Sequence, residues 1–406
     1  MFKRTLLLPI ACWCAGTLNA SADVITDWNE KAVAFVTART MPPWQGERIM
    51  AKVNVAMFDA VNSIERRYRP YLVQLPATPT TSLEAAAGAA AATVLTVLHP
   101  EAAGELRAAM AAHLATIPNS DAKSQGIALG EAVAARVLEA RANDGSSAPD
   151  AYRPKTKPGV YVPTPITAAS MWPNVKPFAM TSGSQFRPQP PISLTSEQWA
   201  ADYNELRIFG SKGSTKRSAR QTEDARFWLA TGQNVYYPVI LSLAASKKLD
   251  VIDNARLFAL VSVARVDALI AVFDAKYHYE FWRPITAIRN GDADDNPATE
   301  LDATWQPIAD TPMHPEYPCA HCIVSGAMVG VVETMFGTAD VPEVATISPT
   351  APGITHRWTN MRAFADEVAE ARIWAGFHYR FSTRVGQDMG RQIGEYVAKN
   401  VMQPAP

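Results

Sequence analysis

Residues 318–337 read PCAHCIVSGAMVGVVETMFG. Pro318 suits the entry to a helix and Gly337 its exit. Between them apolar residues occupy every face, the mark of a helix buried on all sides. The spacing predicts a core helix over 319–336, with His321 in its first turn. A chain that buries one helix so completely needs others around it. Downstream, helical patterns cover 359–375 and 383–399. Upstream, a long apolar helix fits 253–277 and ends on Lys276, and Pro284 suits the first turn of a short helix. Shorter helices fit 238–246 and 216–230, and Thr195-Ser196-Glu197-Gln198 reads as a capping box. Period-two alternation is scarce, so the expected fold class is all-α.

The first third of the chain is helical too. Met50, Val53, Met57, Ala60, Val61 and Ile64 recur at helical spacing, 82–116 is alanine-rich, and a further helix fits 121–142, opened by Asp121 and closed near Gly145. Ten of the 30 prolines then fall between Pro149 and Pro191. Helix does not survive that density, which predicts an irregular wrap or linker. The expected organisation is a signal peptide over 1–22, a helical region over 23–145, a Pro-rich connection over 146–192 and a catalytic helical bundle over 193–401, the N-terminal helices packing on the bundle.

With 406 residues and 48% hydrophobic content, the chain has the material for a large core or two fused ones. A net charge of −1 implies no basic face and argues against nucleic acid. Lys3 and Arg4, the short apolar run 6–18 and Ala20-Ser21-Ala22 have the layout of a secretory signal cleaved near Ala22, which places the expected mature protein in the periplasm or outside the cell. Pro9 argues against a lipid anchor on Cys12. No later stretch is long and apolar enough to span a membrane. Cys12 and Cys14 leave with the signal, so Cys319 and Cys322 are too few for a disulfide framework.

Three cationic motifs follow one another in the second half: Lys276-x6-Arg283-Pro284, Pro318-Cys319-Ala320-His321, and Arg372-x5-His378. On an unbroken helix Arg372 and His378 would diverge by about 120°. Gly376 ends the helix between them and lets both turn to one point. Tyr277, Tyr279, Phe281 and Trp282 exclude water around the first pair and strengthen its pull on an anion. The open N–H groups and positive dipole end at His321 favour an oxyanion. Three cations and two imidazoles without a matching set of carboxylates suit a tetrahedral or trigonal-bipyramidal oxyanion.

In this order the motifs resemble those of the vanadium-dependent haloperoxidases, a signature shared with the type 2 phosphatidic-acid phosphatases. The likeness covers about 260–390 and includes His314-Pro315-Glu316-Tyr317-Pro318 and Gly376-Phe377-His378-Tyr379-Arg380-Phe381. It implies a helical bundle of the haloperoxidase and acid-phosphatase type. Lys276, Arg283 and Arg372 would bind the oxygens of vanadate or phosphate, together with groups at Cys319, Ala320 and His321. His378 would be the vanadium ligand in a peroxidase or the nucleophile in a phosphatase, with His321 as acid–base partner and His314 at a halide-tuning position. The favoured activity is oxidation of bromide or iodide by hydrogen peroxide, passed on to a small organic acceptor. Hydrolysis of a phosphate ester without vanadium, or oxyanion binding without catalysis, are the alternatives. Oligomerisation stays open.

The chain departs from the pattern at four places. Cys319 replaces Ser, Ala320 replaces Gly, Ala371 replaces the Ser before the second Arg, and Ser382 stands where an Asp often supports the axial His. The last change leaves His378 without its expected carboxylate. Cys319 and Cys322 also form a Cys-x-x-Cys pair, but no βαβ pattern surrounds it, as disulfide exchange would need. Zinc binding by His314, Cys319, His321 and Cys322 is disfavoured, because positions i, i+2 and i+3 of one helix converge poorly on a tetrahedron. Haem attachment would need His where Ile323 stands.

Overall fold

The structure, a computed structural model, describes residues 23–163 and 166–406. The expected signal segment, with Cys12 and Cys14, lies outside the described residues. Thirteen α-helices and one hairpin of two strands make up the described fold. No single helix among the described residues is long and apolar enough to cross a membrane.

The N-terminal helices are α1 (Val24–Ala38), α2 (Pro43–Glu65), α3 (Leu83–Leu98), α4 (Ala103–Ala115) and α5 (Asp121–Ala140). Asp23 opens α1 with a capping box, and Pro43 sits at the start of α2, where a missing N–H costs nothing. Then come α6 (Glu197–Phe209), α7 (Ala219–Phe227), α8 (Gln233–Lys247), α9 (Val251–Tyr279) and α10 (Pro284–Arg289). The chain continues through α11 (Ala320–Phe336), the antiparallel pair β1 (Asp340–Ser348) and β2 (Ala351–Asn360), α12 (Met361–Trp374) and α13 (Arg380–Asn400).

The axis of the molecule is α9. It runs 29 residues and is buried on nearly every face, with α2, α11 and α13 packed around it. One apolar cluster extends from Val24 to Met402, so the N-terminal helices and the C-terminal bundle share a core. Polar contacts fix its register. Asn29 and Asn54 exchange amide hydrogen bonds of 2.9 Å, and Asn54 also donates to Ser262 on α9 at 3.0 Å. The Pro-rich stretch is an ordered wrap over this core. Asp267 on α9 accepts the backbone N–H groups of Phe178, Ala179 and Met180 at 2.6–2.8 Å. Asp59 on α2 holds Tyr71, Leu72 and Val73 in the same way.

α11 and α13 pack backbone against backbone. A Cβ at Gly390 would overlap the carbonyl of Ile323, and one at Gly394 that of Ala327. Glycine is therefore required here for close approach, and the contact fixes where the first turn of α11 stands.

Several expectations need correction. The hairpin was not expected: Pro342 and Pro352 and the register shift between Asp340 and Val344 hide its alternation. Pro238 lies inside α8, which opens five residues earlier at Gln233. At α6 the cap is Ser196, whose hydroxyl accepts from Trp199, so the full capping box does not form. Ser120 rather than Asp121 caps α5.

Candidate active site

A partly open cavity of about 220 Å³ lies beside α9. Arg372, His378, His321, His314 and Ala320 line one part of its wall. Apolar side chains, among them Trp44, Leu269, Phe273 and Val324, line much of the rest. Local structure explains the convergence. Arg372 occupies the last turn of α12, and Gly376 with φ +81° reverses the chain so that His378 returns to the same wall. His321 is the second residue of α11, where helix N–H groups have no intrahelical partner.

Lys276 and Arg283 stand one layer behind that wall. Lys276 Nζ donates to the carbonyls of Pro315 at 2.9 Å and Glu316 at 2.7 Å. Arg283 Nε donates to the His314 carbonyl at 2.8 Å, Nη1 to Phe377 O at 3.1 Å, and Nη2 to His314 Nδ1 at 3.0 Å. Its Nη1 also lies 3.4 Å from His378 Nε2. Arg372 Nη1 donates to the Trp228 carbonyl and its guanidinium lies 4.8 Å above the Phe377 ring.

The carboxylate missing from position 382 is supplied elsewhere. Glu316 Oε1 accepts from His378 Nδ1 at 2.7 Å and from the Tyr379 N–H at 3.2 Å. The expectation that Ser382 leaves His378 unsupported is therefore overturned. With its proton on Nδ1, His378 has a lone pair on Nε2, the nitrogen near Arg283. Burial pushes the Glu316 carboxyl up to about 7, against the pull of Lys276 and Arg283, with the Ser382 hydroxyl also favouring the ionised form.

Burial dominates the other titrations as well. It holds Lys276 well below the usual lysine value, Arg283 down to about 10 and Arg372 down to about 9. His321 and His378 fall well below the usual imidazole range, first from burial and then from the neighbouring guanidinium and ammonium charges. His314 is lowered for the same reasons. All three imidazoles are neutral at pH 7, and His321 is placed to take up a proton.

Of the expected site residues, Lys276, Arg283 and Cys319 do not line the cavity, and Cys319 is the one with nothing to offer it. Cys319 is fully buried and disulfide-bonded to Cys322, so it has no S–H to offer. Its N–H donates to Ser382 O at 3.3 Å, and its sulfur accepts the Cys322 N–H at 3.3 Å. The disulfide also removes both sulfurs from the disfavoured zinc set. Glu316 is the functional residue that sequence reasoning missed. It lies inside the motif His314-Pro315-Glu316-Tyr317-Pro318, where the sequence alone assigns the acid no role.

Two buried polar atoms test whether a tetrahedral oxyanion fits. His321 Nε2 and Arg372 Nε make no hydrogen bond. Both residues line the cavity, where Arg265 is already paired with Glu47, Glu316 behind the wall answers Lys276 and Arg283, and Arg372 has no ion pair among the described residues. An anion bearing both oxygens and a hydroxyl would accept from Arg372 Nε, donate to His321 Nε2 and supply negative charge, so the residues fit vanadate or phosphate.

These features define a helical-bundle protein with a buried cluster of cations and imidazoles, and known proteins share its domain and its fold. Residues 256–405 match the profile of the VCPO second helical-bundle domain. A curated relative, vanadium chloroperoxidase from Curvularia inaequalis, is 27% identical over 282 residues, covering 53% of this chain and 46% of the relative. The match thus spans about half the length of that relative. Among solved structures, a bacterial vanadium-dependent iodoperoxidase superposes with a TM-score of 0.80 at 24% identity, over 94% of this chain and 97% of the other. A bacterial vanadium-dependent chloroperoxidase in its apo form gives 0.70 at 17% identity, over 87% and 92%. Residues 256–405 thus carry the second helical-bundle domain of that family model, and the fold as a whole is that of the vanadium-dependent haloperoxidases.

Proposed function

We propose that this protein is a vanadate-dependent haloperoxidase that oxidises bromide or iodide with hydrogen peroxide. The observation that carries the proposal is the cage itself. Arg372, His321 and His378 open onto one cavity, Lys276 and Arg283 charge it from behind, and Glu316 aims His378 Nε2. The names of the relatives point the same way.

His378 Nε2 would hold vanadate, with Arg372, Arg283, Lys276 and the first turn of α11 around its oxygens. Bound vanadate supplies the Lewis-acidic centre at which peroxide becomes an oxidant for halide. The protein's own residues do the rest. Neutral His321 accepts the proton that peroxide must lose, and the neighbouring anion raises its basicity for that moment. The guanidinium groups withdraw electron density in a site from which apolar walls exclude water. His314 faces the cavity, with Nδ1 3.0 Å from Arg283 Nη2 and 3.2 Å from the Pro315 carbonyl. The oxidised halogen then passes to a small organic acceptor.

The test reconstitutes purified protein with orthovanadate and follows bromination of a phenolic dye and oxidation of iodide, beside hydrolysis of p-nitrophenyl phosphate. Peroxide- and vanadate-dependent halide oxidation is expected, falling by about 10²-fold or more in Arg372→Ala and His378→Ala, as for loss of a preorganised electrostatic group. Phosphate-ester hydrolysis without halide oxidation would move the site to phosphatase chemistry. Equal activity in both variants would remove the site assignment.

A further inference from the structure

Away from the cavity, α7, β2 and α12 bring a second set of side chains together. His356 on β2 stacks on Phe227 with ring centroids 3.8 Å apart, and its side chain is 1% exposed. Its Nδ1 pairs with Glu367 Oε1 on α12. Glu367 is itself held by the indole N–H groups of Trp228 at 3.0 Å and Trp358 at 3.1 Å. A carboxylate on Nδ1 keeps the proton there and leaves Nε2 as a lone pair, the arrangement of a carboxylate–histidine–metal triad.

That Nε2 is buried and makes no hydrogen bond. It faces Asp224 Oδ1 at 3.7 Å and Glu223 Oε1 at 3.8 Å, both on α7. Those separations are too long for hydrogen bonds. They do suit donors that share an ion, since the three ligand atoms lie within 4.8 Å of one another. Donors around a four-coordinate zinc-sized ion with bonds near 2.1 Å stand about 3.4 Å apart. From His356 Nε2 the two carboxylate oxygens need to close by only a few tenths of an ångström.

Charge gives the same answer. Arg220 approaches all three acids, with Nε 2.8 Å from Asp224, Nη1 3.2 Å from Glu223 and Nη2 3.6 Å from Glu367. Three carboxylates against one guanidinium leave two negative charges, which a divalent cation cancels. Arg220 is 60% exposed, so it can swing out to admit the ion.

We propose that Glu223, Asp224 and His356 form a site for a divalent transition cation of the Zn²⁺ class, with Glu367 orienting the imidazole. The mixed imidazole and carboxylate set favours such ions over calcium or magnesium. Bound there, the ion pins the hairpin to α7 and α12. It is separate from the vanadate cage, and the inference does not rest on the haloperoxidase reading.

The experiment uses the full-length protein treated with chelator, then titrated with ZnCl₂ by calorimetry, metal analysis and thermal melting. One equivalent per chain is expected, with a rise in Tm. Glu223→Gln keeps the metal-free melt and weakens zinc by roughly tenfold or more, as loss of a ligand-shell group does. Arg220→Ala removes a competing cation and tightens zinc severalfold. His356→Gln abolishes stoichiometric uptake; should it fail to fold, the other two variants carry the test. Absence of stoichiometric zinc in the wild-type protein, or uptake that is the same in wild type, Glu223→Gln and Arg220→Ala, overturns the proposal.

Discussion

Glu316 decides which nitrogen of His378 meets the cavity. Its carboxylate takes the Nδ1 proton at 2.7 Å, and without it either tautomer would serve. Glu316→Gln keeps the shape and removes the charge. Halide oxidation, or vanadate affinity measured by titration, is expected to fall about 10- to 100-fold, the usual effect of removing a group that orients a ligand. The same variant has a signature in stability. Burial lifts Glu316 from the ordinary 4.5 to about 7. A folded-state value above the unfolded one means its contribution is complete below pH 4.5 and is lost as pH rises through about 7. Between pH 5 and pH 8 the wild-type protein should therefore lose on the order of 2–3 kcal/mol more than Glu316→Gln in urea melts. Parallel pH profiles for the two proteins would show that Glu316 is not buried in ionisable form. At this scale the sequence showed the cations and imidazoles, because Lys, Arg and His announce their chemistry. It did not show which acid answers them, because the expected Asp lay four residues after His378 and the actual Glu lies 62 positions before it, joined only by the fold.

Helices were legible where their apolar faces or caps were strong: α9, α11, α12 and α13 lie within a few residues of their expected spans, while α2 extends the expected run of Met50 to Ile64 back to Pro43. The hairpin was not, since its prolines and bulge interrupt the period and its stability comes from packing on α8. The glycines of α13 were equally opaque. In sequence they lower helix propensity, and only the packed pair shows their use. Gly386, Gly390 and Gly394 each face α11 backbone where no flexible side chain can yield. Gly390→Ala must therefore push the helices apart, at a cost of about 3 kcal/mol, the upper part of the range for overpacking. Loss of halide oxidation should accompany the lower denaturation midpoint, because α11 carries His321. The wrap is held by a different device. Asp267 accepts three N–H groups from residues 178–180, and burial still lifts its carboxyl to about 6. Asp267→Ala strands those donors and should cost at least about 3 kcal/mol in the same melts. A midpoint unchanged in that variant would mean the wrap is not tied to α9.

The cavity draws its wall from Pro43 on α2, Ala168 in the wrap, Arg265 on α9, His321 on α11 and His378 after α12. Segments far apart in the chain meet there, and they share one apolar cluster. An anion bound in the cage therefore stabilises the whole molecule. The gain is large for an electrostatic reason. Burial lowers Lys276, Arg283 and Arg372, and the Arg283 charge lowers Lys276 and Arg372 further, so an added anion relieves both effects. Orthovanadate at a hundredfold excess over its Kd should add about 2.7 kcal/mol. The readout is an upward shift of a single melting transition by differential scanning calorimetry. Phosphate should act in the same direction, whereas chloride at equal ionic strength should have little effect, because it lacks the several oxygens that His321 Nε2 and Arg372 Nε require. Arg372→Ala should erase most of the vanadate shift and leave the chloride control unchanged. A melt that splits into two transitions, with only the later one moving, would mean that the N-terminal helices fold apart from the bundle and contribute no energy to the site.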